Sequence, residues 1–152
     1  MYTAIIQLIT AFFGSLGFAL IFNVRKNLLL VVAIAGFFGW GIYLLCSELL
    51  VLGILASNIF ASGFCQIYAE ITARICKTPT TVIYVPAVIP LIPGGSLYNT
   101  MYSAVHSNWE QVKEYGLATL QTTIGIAIGL SFVSAVLYII TKIARNRALK
   151  KQ

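Results

Sequence analysis

Pro79-Thr-Thr-Val-Ile-Tyr-Val-Pro86-Ala-Val-Ile-Pro90-Leu-Ile-Pro93-Gly94-Gly95-Ser96-Leu-Tyr98-Asn99-Thr100-Met-Tyr102-Ser103 is the stretch whose reading decides the fold. The segment from about Thr80 to Val105 is apolar enough for a membrane span, yet it holds Pro86, Pro90 and Pro93. Each proline removes a backbone N–H and clashes with the carbonyl one turn back. Pro90 and Pro93 followed by Gly94-Gly95 are expected to stop a helix, with Ser96 as the N-cap of a second half-helix through Tyr98, Asn99 and Tyr102. Unpaired backbone groups cannot face lipid, so such a break must be buried in protein or line a wet cavity.

The rest of the chain places that break in a membrane. Of 152 residues, 59% are hydrophobic and 9% charged, with a mean hydropathy of +0.91. Ordinary soluble domains carry about 45–50% apolar and about 25% charged residues, and a soluble chain this small could not hide so much apolar surface. Disorder, a coiled coil, a nucleic-acid binder and a disulfide scaffold fall on the same numbers. The expected fold is an all-α integral membrane protein, a single transmembrane domain over 1–152. Its five spans lie at about 2–22, 28–46, 49–71, 80–105 and 117–140, with a basic cytoplasmic tail at 141–152. The fourth span is the broken one. No basic n-region precedes the first apolar run, so it reads as a retained span.

Charge orients the spans. Arg25, Lys26, Arg74, Lys77, Lys142, Arg145, Arg147, Lys150 and Lys151 fall on one side, and only Lys113 on the other, beside Glu48, Glu110 and Glu114. That positive-inside bias predicts an N-out, C-in topology and fits an odd number of spans. The tail is basic enough to touch anionic headgroups of the inner leaflet; the alternative is a plain topology determinant.

Discontinuous helices are used by secondary transporters, where the free N–H groups and partial positive charge of a half-helix hold an anionic substrate group. On that reading Gly94, Gly95, Ser96, Tyr98 and Asn99 are the candidate substrate ligands, and Pro86, Pro90 and Pro93 form the break. The alternative is a kinked or re-entrant helix that merely packs. In the third span Asn58, Ser62, Gln66, Glu70 and Arg74 recur every four residues as a winding polar stripe. Intramembrane ionisable groups usually face the bundle interior. Asn58, Ser62, Gln66 and Glu70 are therefore candidates for a substrate path or proton coupling. Interhelical hydrogen-bond glue plus a Glu70–Arg74 pair at i+4 is the alternative.

Small residues mark packing faces: Thr3, Gln7, Thr10, Gly14 and Gly17 on the first span, Gly36, Gly39 and Gly41 on the second, Gln121, Gly125 and Gly129 on the fifth. Cys46, Cys65 and Cys76 are widely spaced and read as packing residues rather than a disulfide or zinc framework. His106 and Trp109 read as interfacial. The sequence carries no P-loop, HExxH, CxxC or GxSxG, so no catalytic residue, metal site or cofactor is expected.

Pro86-Ala-Val-Ile-Pro90-Leu-Ile-Pro93-Gly94-Gly95-Ser96-Leu-Tyr98, late in a five-span chain, resembles the threonine/serine exporter family. More narrowly, it resembles the small membrane subunit, equivalent to the C-terminal membrane domain of fused exporters. The resemblance implies proton-driven export of threonine and serine across a bacterial inner membrane, as an antiporter. Some split members are associated instead with dicarboxylate (succinate) export. It also implies a larger membrane subunit as partner, since complete alternating-access machines are commonly built from two repeats. A homo-oligomer is the fallback. The lipid bilayer and a small-molecule substrate complete the expected partners, and a non-transporting assembly subunit is the rival from another class.

Overall fold

The computed structural model describes residues 2–149, with side chains described through residue 143, and every regular element in it is helical. The order is α1 (Tyr2–Ile21), α2 (Lys26–Leu44) running on through a π-helical turn (Leu45–Leu49), α3 (Ile54–Cys76), α4 (Thr81–Val88), a 3-10 turn (Ile89–Leu91), α5 (Gly94–Val105) and α6 (Trp109–Leu149). Among the described residues three helices are long and apolar enough to cross a membrane: α1, α2 with its π turn, and α6 as far as Ile143. The α4 arm through Leu91 and α5 make a fourth candidate, bent by 51°. α3 has 23 residues and a length of about 35 Å at 1.5 Å per residue, so only its polar stripe keeps it out of that set. The Arg145, Arg147, Lys150 and Lys151 side chains, on which much of the basic-tail reading depends, lie outside those described.

α3 is the centre of the bundle, touching α2, α4 and α6, while α1 lies on α2 and α5 folds back along α6. Its buried residues are nearly all small or polar: Ser57, Asn58, Ala61, Ser62, Gly63, Cys65, Gln66, Ala69 and Ala73. Without a hydrophobic drive between helices in lipid, close backbone approach and polar contacts must hold them together. The crossings show how. A Cβ on Gly36 would strike Ser15 of α1, and one on Gly39 would lie 2.5 Å from Sγ of Cys65 on α3. A Cβ on Gly125 of α6 would lie 2.7 Å from the Leu55 carbonyl and 2.9 Å from Cβ of Asn58. Gly129 meets Ser62 and the backbone of Ile59 and Gly63 in the same way. By contrast, Gly14 and Gly17 of α1 have nothing within 4 Å of a Cβ, and Gln121 is exposed. The packing face of α1 is Ala11, Ser15 and Ala19 instead.

The apolar run that begins at Leu49 does not start α3 directly. Val51 adopts φ 50°, the left-handed conformation, and the Leu52 amide donates back to the Cys46 carbonyl at 2.9 Å to close the turn. Left-handed backbone crowds the Cβ of an L-residue by about 1–2 kcal/mol, and a β-branched side chain worsens the fit. Val51→Gly is therefore expected to stabilise the chain by about 1 kcal/mol, measured as a rise in the unfolding midpoint. A fall would mean that Val51 earns its place through contacts its 82% exposure does not reveal.

Candidate functional site

The break in the fourth apolar segment sits at Ile92-Pro93, so the second half-helix is capped at Pro93, three residues before Ser96. Pro86 is built into α4, and Pro90 lies within the 3-10 turn. Ile92 then turns extended (ψ 130°), and Pro93 (φ −77°, ψ 53°) precedes the first residue of α5. Gly94 and Gly95 thus open the second half-helix instead of ending the first, and neither uses positive φ. This corrects the N-cap assignment of Ser96, which is the third helical residue and caps nothing. The physical reason is proline: its fixed φ sets the entry angle, and the first helical positions need no intrahelical N–H partner.

At this mouth the Leu97 amide makes the first helical bond, to the Pro93 carbonyl at 2.9 Å, and the Gly94 amide turns back to Ile92 at 2.8 Å. The Gly95 and Ser96 amides have no backbone acceptor among the described residues. Both residues line a cavity of about 230 Å³, and Gly95 is also exposed at the surface. Gly94, Gly95 and Ser96 line one wall; Asn58 of α3, Thr122 of α6, and Trp40 and Tyr43 of α2 line the others. Asn58 is buried and donates from Nδ2 to the Ile54 carbonyl at 2.8 Å, leaving Oδ1 without a hydrogen-bond partner. The buried indole Nε1 of Trp40 likewise has none. The cavity thus holds both donors and an acceptor, no charged side chain lines it, and two aromatic rings, 5.0 Å apart between centroids, stand beside them.

Tyr98 and Asn99 stand outside that lining. Tyr98 is two residues past Ser96, on the far side of the helix at 100° per residue. It is exposed in a ladder, stacked on Tyr102 at 6.2 Å, with Tyr102 in turn 4.2 Å from His106. Asn99 lies nearly a turn deeper along α5. Trp40 and Thr122 join the site unannounced by the sequence reading. The only signals they offered were a tryptophan inside the Gly36–Gly41 run and a threonine beside Gln121 and Thr123.

The stripe on α3 divides among three settings. Asn58 faces the half-helix cavity. Ser62 is buried, bonds back to the Asn58 carbonyl at 2.7 Å, and packs on Gly129. Gln66 and Glu70 line a separate cavity of about 370 Å³ at the other end of α3. There Glu70 Oε1 accepts from the Arg74 guanidinium at 3.0 Å and Oε2 from Thr80 at 3.0 Å, while Arg74 also donates to Thr141 at 2.8 Å. The i+4 pair read from the sequence is present, and it ties α3, α4 and α6 together.

A helical bundle with exposed aliphatic and aromatic flanks, bent at a proline break beside a cavity lined by polar and aromatic side chains, has the build of a membrane protein. The chain matches the family model described as "Threonine/Serine exporter, ThrE" over residues 7–136, and it belongs to that family. No curated protein and no solved structure matches it. The family is one of transporters.

Proposed function

We propose that this chain is a membrane subunit of a proton-coupled exporter of threonine and serine. In this reading it spans a bacterial inner membrane five times, N-terminus out and C-terminus in, and works as an antiporter with a larger membrane subunit of the same family. A homo-oligomer replaces that partner if none is needed. One observation carries the reading beyond family membership: Gly95 and Ser96, whose amides have no backbone acceptor among the described residues, line one cavity with Asn58, Thr122 and Trp40. The substrate carboxylate sits on those two amides and the Trp40 N–H, where the partial charge of the half-helix favours an anion. Its ammonium lies against Asn58 Oδ1 and the faces of Trp40 and Tyr43, and its hydroxyl reaches Thr122. A dicarboxylate such as succinate finds no cation here for its second charge, so the cavity favours a zwitterion.

The test is efflux of preloaded labelled threonine, serine and succinate from vesicles, with this chain alone and with its candidate larger subunit. Threonine and serine should leave faster than succinate, and a protonophore should slow them. Asn58→Ala, matched for membrane level and assembly, should lower threonine efflux about tenfold, as expected for losing one hydrogen bond to a charged group. Asn99→Ala should change it little. Unimpaired efflux by assembled Asn58→Ala would remove the ligand assignment and favour a non-transporting assembly role. Preferred efflux of succinate would move the substrate to dicarboxylates.

A further inference from the structure

The cavity at the far end of α3 differs in chemistry from the one at the broken helix. Gln66 is only 5% exposed, lines this cavity, and its Oε1 has no hydrogen-bond partner. A buried acceptor left unpaired is costly, and the cost is recovered only when a donor arrives. One turn away the Glu70 carboxylate is held in place from two sides, by Arg74 and Thr80. Side-chain exposure is 25% for Glu70 and 55% for Arg74, so the carboxylate is set back and the guanidinium stands nearer the opening. Hydroxyl-bearing Tyr84 and Ser134 stand on the facing walls. At about 370 Å³ the space falls in the range of cavities that take small ligands.

We infer that this cavity is a second amino-acid site, in which Gln66 Oε1 and Glu70 receive the ammonium group and Arg74 meets the carboxylate. The inference rests on the transport reading above for its choice of ligand. The two cavities share no lining residue and are separated along α3 by Ser62, packed on Gly129. They are therefore two places to bind toward opposite ends of one helix, one without a charged side chain and one lined by the Glu70–Arg74 pair and the unpaired Gln66 oxygen. A zwitterion suits both, in opposite orientation.

The experiment is equilibrium dialysis of labelled L-threonine against the chain in lipid nanodiscs, with labelled succinate as the second arm. The wild-type chain should bind two threonines, and Gln66→Met and Gly95→Pro should each bind one. Methionine nearly preserves the size of glutamine while offering only a weak acceptor. With the unpaired oxygen gone, the ligand-free Gln66→Met protein should unfold at a higher temperature than wild type. Glu70→Gln, which keeps the shape but not the charge, should weaken the same site at least tenfold and serves if Gln66→Met does not fold.

One threonine per wild-type chain, lost in Gly95→Pro and kept in Gln66→Met, overturns the second site and leaves the half-helix site standing. The reverse pattern supports the second site and removes the half-helix assignment. Equal binding of succinate, or no binding of threonine at all, overturns the second site. Whether the chain exports threonine is decided separately by the efflux assay.

Discussion

Gly129→Ala is expected to destabilise the chain by about 2–3 kcal/mol, although it adds a single methyl group. That carbon would run into Ser62 and come within 2.5 Å of the Ile59 carbonyl and 3.1 Å of the Gly63 amide, all on α3. Backbone atoms cannot turn aside as the end of a long side chain can, so the two helices must move apart along their whole contact. The contact at stake is the most extensive between any two helices of the bundle, and it sets the distance from Asn58 to Thr122 across the half-helix cavity. Gly17→Ala is the matched control. Nothing lies within 4 Å of its added carbon, and replacing a mid-helix glycine by alanine is favourable by about 0.5–1 kcal/mol. Thermal unfolding of both variants in nanodiscs, with wild type, measures the difference. Equal stabilities would mean that α3 and α6 do not cross as closely as described.

Gly95→Pro should lower threonine efflux at least tenfold while leaving the chain folded. Proline is tolerated in the first turn of a helix because the N–H it removes has no intrahelical partner there. At Gly95 that N–H is one of the two free amides at the mouth of α5, and the added ring finds no atom within 4 Å of its Cβ. Losing one donor to a carboxylate is worth about 1.5–3 kcal/mol, or roughly 10- to 150-fold in apparent affinity. Gly95→Ala keeps the amide and meets equally open space, so it should export at close to the wild-type rate. Failure of both variants would point to a need for glycine's backbone freedom, and success of both would take the amide out of the site.

The break was legible because its cause is local. Three prolines within eight residues make a kink or break in the helix strongly expected whatever surrounds them, and Pro93 is the one that breaks it. Its position was read three residues late. The sequence counts Gly94-Gly95 with Pro90 and Pro93 as the stop, whereas Pro93 alone sets the entry angle and leaves the glycines to open α5. The Glu70–Arg74 pair was legible for the same reason, since spacing on one helix decides it. The grouping of Ser96 with Tyr98 and Asn99 was less secure. Proximity in sequence does not place residues on one wall, and the residues that share the cavity with Ser96 come from α2, α3 and α6.

Composition and charge by themselves determined a helical membrane protein with one interrupted segment, because the cost of apolar surface in water and of open backbone in lipid depends on no particular partner. The sequence also marked several small residues that could bring helices together, though not Ala11, Ser15 and Ala19 of α1. It could not say which of them do. Gly14, Gly17, Gly125 and Gly129 look alike in the chain, yet only the last two lie where another backbone passes. The tertiary structure likewise divided a single polar stripe into a wall of one cavity, a packed contact and a wall of a second cavity. Such distinctions belong to how helices distant in sequence are set against one another, and they exist only once those helices have met.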